Sequence, residues 1–348
     1  MKGAARIVGS LALTLLFLWL FLRNFDLGAA GRAIQGASPG LLLLATVINL
    51  AAYLVRSWRW RQLLSPMRER IGLYNLTATT FIGFMVTFLV PMRIGEIVRP
   101  VLLARRERLS ASAAIATIAL ERLFDALTVM ALFLVFSLSA HGRAVLDPPD
   151  AGAAHASASH LLRQGALAAS LLVAVGLPVA IVLVAFPGFF LGWLHRMNPG
   201  GATTRLGKVI GVLEDFLAGL GSLRSARHLL QIVLSSLLMW LMIDLSTWCS
   251  LQAFGLSLQF FDTFLLMVAL TVGISIPTPG GVGPYEYFCQ VTLSAMWVVP
   301  AAVAGAVAIT MHAIAMLPTI LIGLLFMWRD GVRTAEMRTL AAAEEAHT

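Results

Sequence analysis

Charged side chains are scarce in this chain. Aspartate, glutamate, lysine and arginine make up 12% of its 348 residues, against roughly 25% in soluble domains. That leaves too little polar surface to keep a chain with 59% hydrophobic residues in water. Cysteine is scarcer still. Cys249 and Cys289 both sit in apolar runs and read as small buried hydrophobes, which excludes a disulfide framework. Polar–apolar alternation in segments of about ten residues is missing, which excludes a transmembrane barrel. The glycines at 280, 281 and 283 lack the Lys-Ser/Thr of a phosphate loop. His141, His155 and His160 are spaced too loosely for a metal site. No cofactor, resident metal or catalytic residue is expected from these patterns.

What is present is apolar length. The runs 7–22, 40–55, 112–138, 165–186, 229–253 and 301–327 include several beyond ~18 residues, the usual threshold for a span. They predict about six spanning helices in an all-α polytopic integral membrane protein. Lys2 and Arg6 precede the first run, and no small-residue cleavage site precedes Arg23, so the run reads as a retained signal anchor. The net charge of +8 is a topology signal here and implies no nucleic-acid partner. Basic residues gather in 56–75, 99–111, 187–228 and the tail, whereas 254–300 has none. Positive-inside logic puts the basic set, both termini and the tail 329–348 in the cytoplasm, beneath a bacterial-type inner membrane.

Two further apolar stretches, 76–98 and 262–299, contain breaks. Both ends of the first fall among cytoplasmic connections. At 1.5 Å per residue it is too short to cross a ~30 Å core twice. It is expected to dip in, turn near Pro91 and return. The second, with Pro279, Gly280, Gly281 and Gly283 at its break, is expected to dip in from the external face, its 38 residues being long enough for two thin spans as the alternative. The chain then divides into inverted halves, 1–139 and 165–328, as in secondary transporters whose sites form at paired broken helices. Segment 205–223 has apolar residues at helical spacing. It is either an amphipathic helix on the cytoplasmic surface or a helix packed beneath the bundle.

Charge inside apolar runs costs roughly 2.5–3.5 kcal/mol per group, so such residues face partners or a cavity. The candidates are Arg93, Glu96 and Arg99; Glu121, Arg122 and Asp125; Asp244; and Glu286. Pro91 and Gly95 shape the first break. Helical spacing puts Glu121 and Asp125 on one face and lets Arg122 pair with Asp125. Arg93 either pairs with Glu96 or presents its guanidinium to an anionic headgroup. His312 reads as a hydrogen-bonded helix histidine. The set serves either a polar cavity or ion pairs that hold the hairpins together.

Three motifs occur in order: Phe88-x-x-Pro91-x-Arg93-x-Gly95-Glu96-x-x-Arg99, Glu121-Arg122-x-x-Asp125, and Pro277-Thr278-Pro279-Gly280-Gly281-Val282-Gly283-x-x-Glu286. Together they resemble the lysylphosphatidylglycerol synthase transmembrane-region family, also called the flippase-like domain family. The resemblance implies lipid handling: in bifunctional members this region is associated with moving an aminoacylated phospholipid, made by a separate soluble domain, across the bilayer. The sequence stops about twenty residues after its last span, so a stand-alone member without the aminoacyltransferase domain is expected.

The leading expectation is therefore a flippase or transporter rather than an enzyme. Its partners would be membrane lipids: an anionic or aminoacylated phospholipid, or a polyprenyl-linked sugar. A membrane transferase using a lipid-linked donor is the alternative, and a non-transporting partner subunit the third reading. Apolar faces look alike whether they meet lipid or a second copy, so a homo-oligomer stays open.

Overall fold

The computed structural model describes residues 2–147, apart from 24, 66, 69 and 70, and residues 226–331, with isolated positions between. The expected span 165–186, the amphipathic helix 205–223 and most of the tail lie outside the described residues. Every regular element among the described residues is helical.

Long apolar runs without internal glycine–proline clusters form long helices. Helix α1 is Lys2–Leu22 and α2 is Leu27–Gly36. The two meet at 82°, where Asp26 Oδ1 accepts the Ala29 N–H at 2.9 Å and starts α2. Helix α3, Pro39–Leu64, opens on a proline, whose missing donor costs nothing at a first turn. Helix α6, Ala111–Leu138, bends by 86° into α7, Ala140–Leu146. After the undescribed region come α8, Ala226–Ala253, and, last in the chain, α11, Ala301–Arg329. Three helices, α3, α8 and α11, are long and apolar enough to cross a membrane, or up to five if each bent pair is one span. The chain is thus a polytopic membrane protein, all-helical in its described residues.

The two interrupted stretches form helical hairpins of the same local design. In the first, α4 (Leu73–Leu89) leads through a 3-10 turn, Pro91–Arg93, into α5 (Gly95–Glu107). In the second, α9 (Asp262–Ser275) leads through a 3-10 turn, Pro279–Gly281, into α10 (Pro284–Trp297). Val90 and Ile276, each followed by a proline, are extended at ψ 132° and 129°, as a residue before proline prefers. Arg93, Gly280, Gly281 and Gly283 then take positive φ. Each limb has 17 residues or fewer, so none exceeds ~26 Å of helix, short of a ~30 Å core.

Gly95 lets α4 and α5 cross at backbone contact. A Cβ there would run into the Gly83 carbonyl oxygen and the Thr87 hydroxyl, and one at Gly83 would sit 2.6 Å from Arg99 Cβ. Gly95→Ala is therefore expected to destabilise the protein by about 1–3 kcal/mol through overpacking. Gly40→Ala, which meets nothing within 4 Å, should leave the melting temperature of detergent-purified protein unchanged. Equal melting of the two variants would mean that the limbs do not cross at Gly95.

The packing has a reciprocal pattern. Helix α3 lies along α8; α4 packs on α11 as α9 packs on α6; α5 packs on α6 as α10 packs on α11. The connections sort into two groups. At one end Asp330 binds the Tyr74 hydroxyl and Arg106, both at 2.6 Å, and Glu107 binds Arg68 and Asn75. Another group joins the Ser38 N–H to the Ala253 carbonyl at 2.8 Å, and His141 to Asp262 at 2.7 Å. The first group holds the basic connections.

Arg56 and Arg59 were expected in a cytoplasmic connection, 56–75. Helix α3 instead continues to Leu64 and buries both. Ala52, Arg56, Arg59, Trp60, Leu63 and Leu64 recur three to four residues apart, so one face of the helix stays turned to the bundle.

Candidate functional site

The buried face of α3 meets the carboxylates of α6. Glu121 is fully buried. Its Oε1 lies 3.0 Å from Arg56 Nη1, 3.5 Å from Arg59 Nη2, 3.0 Å from Arg99 Nη1 and 3.1 Å from Arg122 Nη2. Four guanidinium groups thus converge on one oxygen. Arg99 Nη1 also reaches Oε2 at 3.0 Å, and its guanidinium lies 4.0 Å from the centre of the Trp60 ring. Trp60 is fixed in turn by donating to the Thr117 hydroxyl at 2.9 Å.

Asp125, one turn along α6, takes Arg59 Nη1 at 2.7 Å on Oδ1 and the Trp240 indole N–H at 3.1 Å. Its Oδ2 lies 3.4 Å from both Arg56 and Arg122. Arg59 also donates to Ser236 at 2.9 Å, which ties α8 into the cluster. At the first turn Arg93 pairs with Glu96 at 3.0 Å, and Arg122 Nη1 stands 4.0 Å from the same Glu96 oxygen. Low dielectric makes these contacts strong and makes an orphaned member costly.

The second turn is held by a different device. Glu286 Oε2 accepts the Gly283 N–H at 2.8 Å, and Oε1 lies 2.6 Å from His312 Nδ1 on α11. His312 Nε2 lies 2.9 Å from the Gly280 carbonyl oxygen. A carbonyl only accepts, so Nε2 carries a hydrogen. The imidazole stacks on Tyr285 at 4.4 Å between ring centres. Ser10 of α1 donates to the Pro277 carbonyl at 2.6 Å, so a carbonyl freed by the break finds a partner.

Between the turns lies a cavity of about 190 Å³. Arg56, Arg93 and Arg122 line it on one side, and Thr278, Gly280, Gly281 and His312 on another; Phe84, Phe88, Met267, Leu270, Ile274 and Met311 supply apolar wall. Among the described residues, no aspartate or glutamate lines it. The turns touch each other, and a Cβ on Gly280 would sit 2.9 Å from the Phe88 carbonyl oxygen.

Of the residues singled out from sequence, Arg93, Arg122, Gly280 and Gly281 line this cavity. Arg99, Glu121 and Asp125 stand behind its basic wall as the ion-paired layer, with Glu96 beside Arg93. Pro91 and Gly95 shape the first turn, and Pro279, Gly283 and Glu286 the second. Asp244 is not brought to this place. It is fully buried beside Thr263, and no cation pairs with it among the described residues. Sequence reasoning missed Arg56, Arg59 and Tyr53, which also lines the cavity. The helical spacing of 52, 56, 59 and 63 was the available signal. Among the described residues no group of three His, Cys, Asp or Glu is placed to hold a metal ion.

Over residues 7–323 the chain matches the family described as the lysylphosphatidylglycerol synthase TM region. It is also similar to the glycosyltransferase AglD of Haloferax volcanii, 27% identical over 330 residues that cover 88% of this chain and 52% of that protein. The chain spans about half the length of this relative.

Proposed function

This chain belongs to the lysylphosphatidylglycerol synthase TM-region family, and from that premise we propose that it moves a phospholipid or lipid-linked headgroup across the inner membrane. The single observation that carries this reading is one cavity bounded by both helix breaks and lined on one side by three guanidinium groups. In a bilayer core, broken backbone is tolerated only in protein or at a wet cavity. The two hairpins are read as re-entrant from opposite leaflets and the halves 1–139 and 165–328 as inverted. The basic end with both termini is read as cytoplasmic. Reciprocal packing of the halves and the sorting of the connections into two groups support this topology. The headgroup would enter the cavity while its acyl chains stay in lipid, and one half would rock against the other.

The test is lipid scrambling in proteoliposomes with a fluorescent phospholipid. Purified protein should move lipid well above the rate of empty liposomes. Arg122→Ala should slow it about 10- to 100-fold, the loss of a charge-assisted contact of ~1.5–3 kcal/mol. No movement above empty liposomes would sink the reading.

A second reading, a membrane transferase using a lipid-linked donor, is favoured by the relative's name as a glycosyltransferase. Turnover of a lipid-linked sugar by the purified chain, without scrambling, would favour it.

A further inference from the structure

We propose that the cavity selects a headgroup of net negative charge whose phosphate bridges Arg56 and Arg122, with Arg93 at the same wall. This deepens the lipid-transport reading and rests on it. The charges around the cavity do not balance. The linked cluster contains five guanidinium groups, Arg56, Arg59, Arg93, Arg99 and Arg122, and three carboxylates, Glu96, Glu121 and Asp125. Two positive charges are left over in a site that a bilayer surrounds. Arg93 and Arg122 meet the cavity with side chains 31% and 34% exposed, so an anion entering it can reach them and neutralise the excess.

Donor balance gives the same answer. Four guanidiniums around Glu121 and Asp125 offer roughly twenty N–H donors against about eight carboxylate acceptor sites. Among the described residues, Arg122 Nε is a buried donor without a hydrogen-bond partner on a side chain that lines the cavity, while the unpartnered donors of Arg59 and Arg99 lie in the layer behind that wall. Arg56 and Arg122 hold the same Glu121 oxygen and both line the cavity. They stand side by side despite their repulsion, as a phosphate-bridging pair requires.

An independent observation lies on another wall. Thr278 is 3% exposed and lines the cavity, and its Oγ1 has no hydrogen-bond partner among the described residues. A phosphate oxygen or an ester hydroxyl would satisfy it. A headgroup carrying extra ammonium groups would instead add charge to a site already in excess, and among the described residues no carboxylate lines the cavity to receive them. The expected order is therefore a phosphomonoester or anionic phosphodiester first, a zwitterion next and an aminoacylated, net-cationic headgroup last.

The test is native mass spectrometry of the delipidated full chain titrated separately with phosphatidic acid, phosphatidylglycerol, phosphatidylcholine, lysylphosphatidylglycerol and inorganic phosphate. Phosphatidic acid and phosphatidylglycerol should bind at least tenfold tighter than phosphatidylcholine, and lysylphosphatidylglycerol no tighter than phosphatidylcholine. Arg56→Gln should erase the preference. Arg93→Gln, which breaks only a partly exposed pair with Glu96, should reduce it severalfold and covers the case in which Arg56→Gln does not fold. Equal binding of phosphatidylcholine and phosphatidic acid overturns the proposal, and so does tighter binding of lysylphosphatidylglycerol. Inorganic phosphate binding as tightly as phosphatidic acid overturns the lipid as its source. Anionic preference in a protein that scrambles nothing sinks the transport reading and leaves the charge selection standing.

Discussion

Glu121→Gln is expected to be the most damaging single substitution in this protein. The amide keeps the shape of the carboxyl and loses its charge, so the guanidiniums of Arg56, Arg59, Arg99 and Arg122 are left with Asp125 as the one carboxylate that pairs with more than one of them. Arg99 suffers most. It is 2% exposed and its ion pair is with Glu121. Breaking a buried pair on one side costs about 3–5 kcal/mol, because the remaining charge is stranded. The readout is the yield of monodisperse protein in detergent and its melting temperature by tryptophan fluorescence. Glu121→Gln with Arg99→Met should recover part of the loss, since the stranded charge goes and the methionine can lie on the Trp60 ring that Arg99 now covers. A Glu121→Gln protein that melts with the wild type would mean that the cluster is hydrated and that its charges are not felt. No recovery in the double variant would mean that Arg99 is not the stranded partner.

That cluster also shows where a sequence stops being legible. The breaks were readable because proline and glycine act on their own backbone. Pro91, Pro279 and the glycines at 280, 281 and 283 interrupt helices through local chemistry alone. Both turns form at these residues. Near neighbours on a helix were readable for the same reason: Arg93–Glu96 and Arg122–Asp125 pair at 3.0 and 3.4 Å. Arg56 and Arg59 were not. They follow an apolar run, and positive-inside reasoning assigns such arginines to a connection. Their true partners, Glu121 and Asp125, lie more than sixty positions away, and no spacing rule reaches that far. The same blindness explains Asp244. Its place in the middle of an apolar run marked it as a site candidate, but which face of α8 meets the cavity depends on how α8 lies against α3. Trp240, Ile243, Thr247 and Ser250 face it instead. His312, read as a hydrogen-bonded helix histidine, does make two such bonds, and only folding reveals that they end on the second break.

His312 supports the second large prediction. Its two ring nitrogens connect α11 to Glu286 and to the Gly280 carbonyl, and Glu286 connects onward to the Gly283 N–H. Short backbone hydrogen bonds within the turn and Ser10 on the Pro277 carbonyl also hold it, but its glycines at positive φ carry no side chain to pack. His312→Phe keeps a ring to stack on Tyr285 and removes both nitrogens. It strands one carboxylate oxygen and one carbonyl in a buried place, at about 1–3 kcal/mol each, or ~2–6 kcal/mol together. Melting temperature should fall accordingly, and amide hydrogen exchange at Gly281, Val282 and Gly283 should accelerate well beyond the change at residues 73–89. His312→Gln retains an amide donor for the Gly280 carbonyl and should fall between His312→Phe and wild type. Because Gly280 rests on the Phe88 backbone and the two turns touch, loosening the second turn also frees the first. Lipid scrambling should then fall with the same rank order as stability, His312→Gln above His312→Phe. If His312→Phe matched wild type in melting and in exchange, the imidazole would be packing filler and the second turn would hold its shape by backbone alone.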